Sequence, residues 1–376
     1  MNSALRRRPS AKWVAAVQIA LLSIAGITFI GSPASAAAAP GTVLLSTAAT
    51  LPPELSPLAN GKRIAYVTTT VTGASTTATG LVLTPKKNKK NKTVVWGHGT
   101  TGLADQCAPS ASQAVFWPEA RQAIAALLNK GWTVAAPDYP GLGTPGNHPY
   151  LVGASEARSM IDSAKAARNL DSALTTLYAI DGHSQGGQGG LFAGEIAPSY
   201  DGALVLRGVA SIAPVSNADL FAPLIPGTPG QGYLVMALYG LQAVDATFNP
   251  ATVLAPPAQQ RTPILTTGCL YEILEKYMFL TPDELLVGGA LPGPVIAKLA
   301  HWVNPAQSAP TAPILLVQGT NDEAVPYSIT AEALLPQLQS YGTQPVQFVQ
   351  VSGATHDGAV VATTGLVADW LATKLA

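Results

Sequence analysis

Gly182-His183-Ser184-Gln185-Gly186-Gly187 is the segment that says most about the fold of this 376-residue chain. It sets a serine in a G-x-S-x-G pattern, after a short apolar run and before a segment with helical spacing. Because glycine lacks a Cβ, the chain can turn sharply there from strand to helix. A serine at the tip of such a turn projects beyond the sheet edge, and the first N–H groups of the helix point at what it attacks. The pattern therefore predicts a serine nucleophile and part of an oxyanion hole.

Composition narrows the possible functions. The chain has 21 Lys+Arg and 21 Asp+Glu, so its net charge is zero, and 48% of its residues are hydrophobic. Charged residues make up 11%, well below the roughly 25% usual in soluble domains. Because no basic face is visible, we expect no nucleic acid partner. The length fits one large domain with an insertion, or two domains.

The N-terminus has the pattern of an export signal. Arginines at positions 6–8 precede an apolar run at 14–30, and Ala34-Ser35-Ala36 forms a small-x-small cleavage site. This order is typical of a secretory signal peptide, although an apolar run of this length would also fit a membrane anchor. Pro33 and the alanine-rich stretch that follows favour cleavage. We therefore expect residues 1–36 to be a signal peptide and the mature chain to be secreted.

Strand and helix patterns alternate along the rest of the chain. Apolar runs predict strands at 64–71, 80–84, 93–96, 132–136, 177–180, 208–213, 313–318 and 345–351. Helical spacing follows at 112–129, 155–174, 185–196 and 366–374. Such alternation predicts βαβ units, and hence an α/β fold with a mostly parallel central sheet flanked by helices.

One interval interrupts this alternation. Residues 216–305 are rich in proline and glycine and contain helical pieces at 233–242 and 270–279. We expect a helical cap or lid there, dividing the core into a first part at 62–215 and a second part at 306–376. Residues 37–61 are expected to form an extended N-terminal arm.

A serine hydroxyl needs a base to take its proton, and the base needs an acid to orient it. In α/β-hydrolases the chain order is serine, acid, histidine. After Ser184, one predicted strand ends in a turn that holds Asp322 and another leads to a loop that holds His356. Both positions follow the carboxyl ends of strands, where open α/β sheets place their sites. Glu323 and Asp357 are alternative acids.

The other four histidines are less suitable bases, because they precede the serine, adjoin it or lie in the predicted cap; they are His98, His148, His183 and His301. Asp322 could instead cap its own turn, and His356 could be a surface loop residue. For the oxyanion hole, we expect one N–H donor at Gln185 and a second at Thr100, with Gly99 as the alternative.

This chemistry requires no metal and no organic cofactor. The chain has two cysteines, Cys107 and Cys269. In a secreted protein two thiols suggest one disulfide, although two separate buried thiols remain an alternative. Their number and spacing argue against a zinc site.

Three further stretches resemble the secretory lipase family, a branch of the α/β-hydrolases of the yeast lipase A type. They are Cys107-Ala108-Pro109-Ser110, Pro137-Asp138-Tyr139-Pro140-Gly141-Leu142-Gly143 and His148-Pro149-Tyr150-Leu151. From residue 62 onward the resemblance implies a triad of Ser184, Asp322 and His356, a helical cap after the sixth strand, and ester hydrolysis. It also implies a disulfide from the early cysteine to the cap, which suits Cys107 and Cys269.

Two features depart from the family pattern. The oxyanion loop is of a His-Gly-Thr type, unlike that of the yeast enzyme. Asp181 stands near the end of the strand that leads into the sharp turn around Ser184, which we call the elbow; an apolar residue is ordinary at that position. We expect Asp181 to be a structural cap rather than a fourth catalytic carboxylate.

The sequence thus predicts a secreted serine ester hydrolase that acts on acylglycerols or other lipid esters. An acyltransferase with the same triad, a serine peptidase and a hydrolase-like binding protein are the alternatives. We expect a monomer that touches a lipid interface transiently. Seven apolar side chains of the cap either line an acyl-chain pocket or pack against one another: Phe221, Leu224, Ile225, Tyr233, Met236, Tyr239 and Phe248.

Overall fold

A computed structural model describes residues 38–376, so the predicted signal peptide lies outside the described residues. The described part contains one nine-stranded sheet with the strand order β1-β2-β3-β5-β4-β6-β7-β8-β9. The strands are β1 Val43–Ala49, β2 Ala59–Thr69, β3 Ser75–Pro85, β4 Thr93–Gly97, β5 Thr133–Pro137, β6 Leu177–His183, β7 Val205–Ile212, β8 Ile314–Gly319 and β9 Val346–Val351. Pairing is antiparallel from β1 through β5 and parallel from β5 through β9. The predicted mostly parallel α/β sheet is therefore confirmed.

Helices follow the parallel strands and fill the interval between β7 and β8. They are α1 Pro118–Asn129, α2 Gly153–Leu170, α3 Gln185–Tyr200, α4 Ala218–Phe221, α5 Gln231–Val244, α6 Pro256–Gln259, α7 Ile264–Thr267, α8 Leu270–Tyr277, α9 Pro282–Leu285, α10 Gly293–Val303, α11 Leu335–Ser340 and α12 His356–Lys374. Within residues 38–376, none of these helices has the length and apolar character needed to cross a membrane.

The sheet is covered on both faces because successive strand residues point to opposite sides. In β4, Val95 joins a cluster that includes α2 and α3, whereas Val94 and Trp96 join a second cluster that includes α1 and α12. Because both faces of the central strands are buried, their sequences are short apolar runs and do not alternate between apolar and polar residues.

Two element boundaries differ from the expectation. Within residues 37–61, Val43–Ala49 is an edge strand that pairs antiparallel with β2, and its surface is largely exposed. α12 begins at His356, ten residues before the predicted start of the last helix at 366. The hydroxyl of Thr355 accepts a hydrogen bond from the N–H of Gly358 at 3.2 Å and caps this helix. The sequence around this cap resembles a loop because His356, Asp357 and Gly358 are poor helix formers.

The segment between β7 and β8 holds helices α4 to α10 and has an apolar cluster of its own, which includes Val235, Leu238 and Ile273. A disulfide joins Cys107, after β4, to Cys269, at the start of α8, with a Cα–Cα distance of 5.5 Å. The predicted disulfide is therefore confirmed. It ties the helical segment, which we call the cap, to the loop that follows β4.

Asp181 lies inside β6, between Trp96 of β4 and Ala210 of β7. It is almost fully buried, and its Oδ1 atom has no hydrogen-bond partner in the described residues. Burial raises the pKa of this carboxyl to about 8. A protonated carboxylic acid is therefore expected in the middle of the sheet at neutral pH, and it has no contact there that would make it a cap.

Replacement of Asp181 by asparagine should stabilise the protein increasingly as the pH rises. The folded state holds a proton on Asp181 up to about pH 8, whereas the unfolded chain loses it near the ordinary value of 3.8. Between these values the wild type loses up to about 1.4 kcal/mol of unfolding free energy per pH unit through this group. Urea unfolding of both proteins from pH 4 to 8 tests this, and a constant difference between them would contradict it.

Removal of the disulfide should destabilise the protein strongly, because the bond closes a loop with a sequence separation of 162 residues. The double variant Cys107→Ser/Cys269→Ser should lose about 2–5 kcal/mol of unfolding free energy. Chemical denaturation measures the loss. Dithiothreitol should lower the stability of the wild type toward that of the variant and leave the variant unchanged. A difference below about 1 kcal/mol would contradict the structural role.

Candidate active site

Ser184 lies between the end of β6 and the start of α3, with φ of 56° and ψ of −117°. This φ is rare for a residue with a side chain and stores strain. The N–H of Ser184 donates to the carbonyl of Ile212 at 2.8 Å, which fixes the turn against β7. The predicted strand-turn-helix geometry is therefore present at the G-x-S-x-G stretch.

Two glycines of this stretch allow the backbones to approach closely. A Cβ on Gly186 would lie 2.1 Å from the carbonyl oxygen of Gly97 in β4, and one on Gly182 would lie 2.2 Å from the carbonyl oxygen of Gly186. Neither position can hold a larger residue without moving backbone. The first turn of α3 can therefore pack directly on β4 and β6.

Asp322 follows β8, and His356 is the first residue of α12. The Nδ1 atom of His356 lies 2.7 Å from Oδ2 of Asp322. The Oδ1 atom of Asp322 accepts the backbone N–H groups of Ala324 and Val325, at 2.9 and 2.8 Å. Asp322 therefore both caps its own turn and orients the imidazole, so the two interpretations of the sequence do not exclude each other.

Ser184 and His356 line one cavity of about 250 Å³, together with Gly99, Thr100 and Tyr233. Among the described residues, the Ser184 hydroxyl makes no direct hydrogen bond to the imidazole. In proteins without a bound substrate, catalytic hydrogen bonds are often long and tighten when the substrate enters. The arrangement brings an acid–imidazole pair and a strained serine to the same opening.

Gln185 is the first residue of α3, so its backbone N–H has no acceptor within the helix. Its side-chain amide donates to Oε1 of Glu156 at 2.8 Å and lies 3.0 Å from Nε2 of His148. Burial raises the pKa of Glu156 to about 8. This buried network fixes the residue next to the serine. Sequence reasoning missed it, although His148 stood in a stretch that carried the family resemblance.

Thr100 lies in the loop after β4 and lines the same cavity as Ser184. Its hydroxyl is 2.7 Å from that of Tyr150, and its carbonyl accepts the indole N–H of Trp117 at 3.2 Å. Gly99 lines the same cavity. Of the two predicted donor positions, Gln185 is thus next to Ser184 in the chain and Thr100 lines the same cavity as Ser184.

Asp138 and its neighbours connect several loops near the site. The Asp138 carboxylate accepts hydrogen bonds from the hydroxyl of Thr79 at 2.7 Å and from the backbone N–H of Ser110 at 2.8 Å. The ring of Tyr139 stacks on His98 at a centroid distance of 4.5 Å. The stretches that carried the resemblance therefore hold one another in place around the nucleophile.

Two ionisable groups beside the cavity have shifted pKa values. Burial lowers the pKa of His183 well below its usual range; the positive charge of His356 acts in the same direction, whereas the backbone of His356 acts in the opposite one. Burial raises the pKa of Glu119 to about 7, with a further contribution from the negative charge of Asp357. Glu119 was not identified from the sequence, where it is one ordinary acid in the first turn of α1.

A second, apolar cavity of about 410 Å³ also opens at Ser184 and extends into the cap. Of the seven cap side chains considered for a pocket, those of Phe221, Leu224, Ile225 and Tyr233 line it. The other three pack within the cap: Met236 and Phe248 belong to its buried cluster, and Tyr239 packs against that cluster. Some of the seven side chains thus line a pocket, and the others pack against one another within the cap.

Comparison with known proteins agrees with this architecture. Candida antarctica lipase A in its closed state superposes with a TM-score of 0.76 at 20% identity, over 89% of this chain and 82% of that chain. The rice cell wall degrading esterase LipA from Xanthomonas oryzae gives a TM-score of 0.74 at 24% identity, over 90% and 100%. The predicted α/β-hydrolase fold is thereby confirmed.

Sequence comparison gives the family. The secreted triacylglycerol lipase LIP7 of Malassezia globosa is 28% identical over 345 residues, which are 84% of this chain and 71% of the relative. The sequence model described as "Secretory lipase" matches residues 110–376. The chain therefore belongs to the secretory lipase family and is a carboxylic ester hydrolase.

Proposed function

We propose that this protein is secreted and hydrolyses lipid esters, acylglycerols among them, through an acyl-enzyme on Ser184. The observation that carries the proposal is the Asp322–His356 pair, 2.7 Å apart, at the cavity onto which the elbow serine opens. Ser184 attacks the acyl carbonyl, and His356 takes its proton and passes it to the leaving alcohol. Water then attacks the acyl carbonyl while His356 removes its proton; the bond between the acyl group and the Ser184 oxygen breaks, His356 returns the proton to that oxygen, and a carboxylic acid leaves.

The contact with Asp322 determines which ring nitrogen of His356 can receive the proton of Ser184. Because a carboxylate only accepts hydrogen bonds, its contact with Nδ1 places the ring proton on that atom. Nε2 then carries the lone pair that receives the serine proton. The Nε2-H of Gln318 donates to the same carboxylate oxygen at 2.8 Å, which keeps Asp322 oriented.

The backbone N–H groups of Gln185 and Thr100 are the proposed oxyanion donors, with that of Gly99 as the alternative to Thr100. Preorganised donors of this kind supply a large part of the rate enhancement in acyl transfer. Gln185 suits the role because its own side chain is held by Glu156 and so cannot turn into the site.

The two cavities suggest separate places for the two halves of an ester. The apolar cavity, lined by cap residues such as Phe221, Ile225 and Ala237, is suited to the acyl chain. The more polar one, which His356 lines, is suited to the leaving alcohol and the incoming water. Hydrocarbon burial gives about 0.8 kcal/mol per CH₂, so acyl length should determine much of the specificity.

Lipid contact would take place through the cap. Large apolar side chains are exposed there, and they are Leu220, Leu224, Tyr271, Phe279 and Val287. Exposed apolar side chains are what a surface that meets lipid requires. We propose that a monomer uses it for transient contact with a lipid interface.

Replacement of Ser184 by alanine should abolish turnover of aryl esters and labelling by a fluorophosphonate. The expected loss in kcat is at least about 10⁴-fold, because the nucleophile is gone. Ser199→Ala, a change of an exposed serine in the same helix, is the matched control and should retain full activity. Asp322→Asn should reduce kcat by about 10³–10⁴-fold through the wrong imidazole tautomer. Full turnover by Ser184→Ala would refute the mechanism.

Replacement of Ala237 by phenylalanine should shorten the accepted acyl chain. Ala237 is buried and lines the apolar cavity, so the larger ring fills space that the acyl chain would use. We expect kcat/KM for octanoyl and palmitoyl esters to fall by at least about tenfold, while that for the acetyl ester stays within about twofold. Ala246→Phe, at an exposed position after α5, is the control. An equal loss for all esters would argue against an acyl pocket.

A further inference from the structure

Three potential metal ligands meet at the polar cavity. They are His183, His356 and Asp357, and one ligand atom from each lies within 4.8 Å of the other two. The Nε2 atom of His183 is 3.9 Å from Oδ1 of Asp357. The two imidazole rings lie 4.6 Å apart between centroids.

His183 is the unusual member of this group. Its side chain is only 3% exposed, and its Nε2 atom has no hydrogen-bond partner within residues 38–376. Buried polar atoms are nearly always satisfied, so a solitary one calls for an explanation. The proton transfer proposed above uses His356 and leaves this nitrogen without a role.

We propose that His183, His356 and Asp357 form a binding site for Zn²⁺, and that the bound ion inhibits the enzyme. Two imidazoles and one carboxylate are a ligand set that zinc accepts readily, with solvent in the remaining position. Zinc–ligand bonds of about 2.0–2.2 Å place neighbouring ligand atoms of a tetrahedral site roughly 3.4 Å apart. The ligand atoms of His183 and Asp357 are 3.9 Å apart and no separation in the cluster exceeds 4.8 Å, so binding requires the ligand atoms to approach by up to about 1.4 Å.

The surroundings suit a metal-bound imidazole. A ligating histidine commonly donates its other ring N–H to a carboxylate, which fixes its orientation. His356 has this arrangement, since its Nδ1 contacts Asp322 at 2.7 Å. Asp357 is more than half exposed, so the ion can enter from solvent.

Inhibition rests on the proposed function of His356, whereas binding of the ion does not. Zinc would occupy the Nε2 lone pair that otherwise receives the proton of Ser184. The ion and the catalytic reaction therefore compete for the same electron pair. Mg²⁺, which prefers oxygen ligands, should not compete in this way.

The first test measures inhibition of butyryl ester hydrolysis by ZnCl₂, with MgCl₂ as the comparison ion and EDTA for reversal. Measured against its own rate without zinc, Asp357→Asn should need about tenfold or more zinc for half-inhibition. Glu323→Gln is the matched control, since it removes a carboxylate from the same cavity but not from the cluster. Its zinc response should match that of the wild type. Equal zinc sensitivity of the two variants would overturn the site.

The second test measures Zn²⁺ binding by calorimetry to the Ser184→Ala protein, so that it does not depend on activity. One saturable site is expected, weakened about tenfold or more by an added Asp357→Asn change and unaffected by an added Glu323→Gln change. Absence of saturable binding, or equal affinities in the two double variants, refutes the inference. Binding at this site without inhibition of the active enzyme would refute the role of His356 as ligand. Failure of the proposed mechanism is separate, because it appears as retained turnover in Ser184→Ala.

Discussion

The close contact between the first turn of α3 and the strands β4 and β6 is the constraint on which the site depends. Gly186 can lie against the carbonyl of Gly97 only because neither residue carries a side chain, and Gly182 faces the same helix turn. This proximity leaves Ser184 in a strained conformation with positive φ at the carboxyl edge of the sheet. The strain persists because packing on both sides of the turn determines the backbone there.

The order of the strands around β6 determines which other residues lie near Ser184. β4 and β7 flank β6, β8 lies next to β7, and all of them run parallel. The loops after β4 and β8 therefore reach the same edge as the serine, which brings Thr100 and Asp322 beside it. His356 arrives after β9, at the start of a helix that packs against α1 on the far face. Residues separated by more than 170 positions along the chain thus share one cavity.

The sequence predicted best those residues whose chemical type and whose position along the chain both fit the proton relay. Ser184, Asp322 and His356 could be proposed because each follows an apolar run and each is a residue type that the proton relay requires. The Cys107–Cys269 bond could be proposed because the chain has only two cysteines. The mostly parallel sheet could be predicted from the alternation of strand and helix patterns.

Other features depend on which residues meet in three dimensions, and the neighbouring sequence gives little indication of them. The contact of Glu156 with Gln185 joins residues from two helices, and nothing near Glu156 in the sequence marks it as buried. The start of α12 escaped prediction because its capping residues have low helix propensity. The division of the cap side chains between cavity and cluster could not be predicted, since both uses require the same apolar residue types.

The buried carboxyl groups around the elbow show how the fold tolerates polar residues close to its nucleophile. Burial raises the pKa of Glu156 and of Asp181 to about 8, so neither adds a negative charge near Ser184 at neutral pH. A neutral acid at Glu156 can hold the amide of Gln185 without placing a charge that would repel an oxyanion beside it. Asp322 differs in its contacts, because two backbone N–H groups and the imidazole of His356 bond to its carboxyl oxygens. The chain thereby keeps Asp322 where the imidazolium needs it and suppresses ionisation of Glu156 and Asp181 through burial.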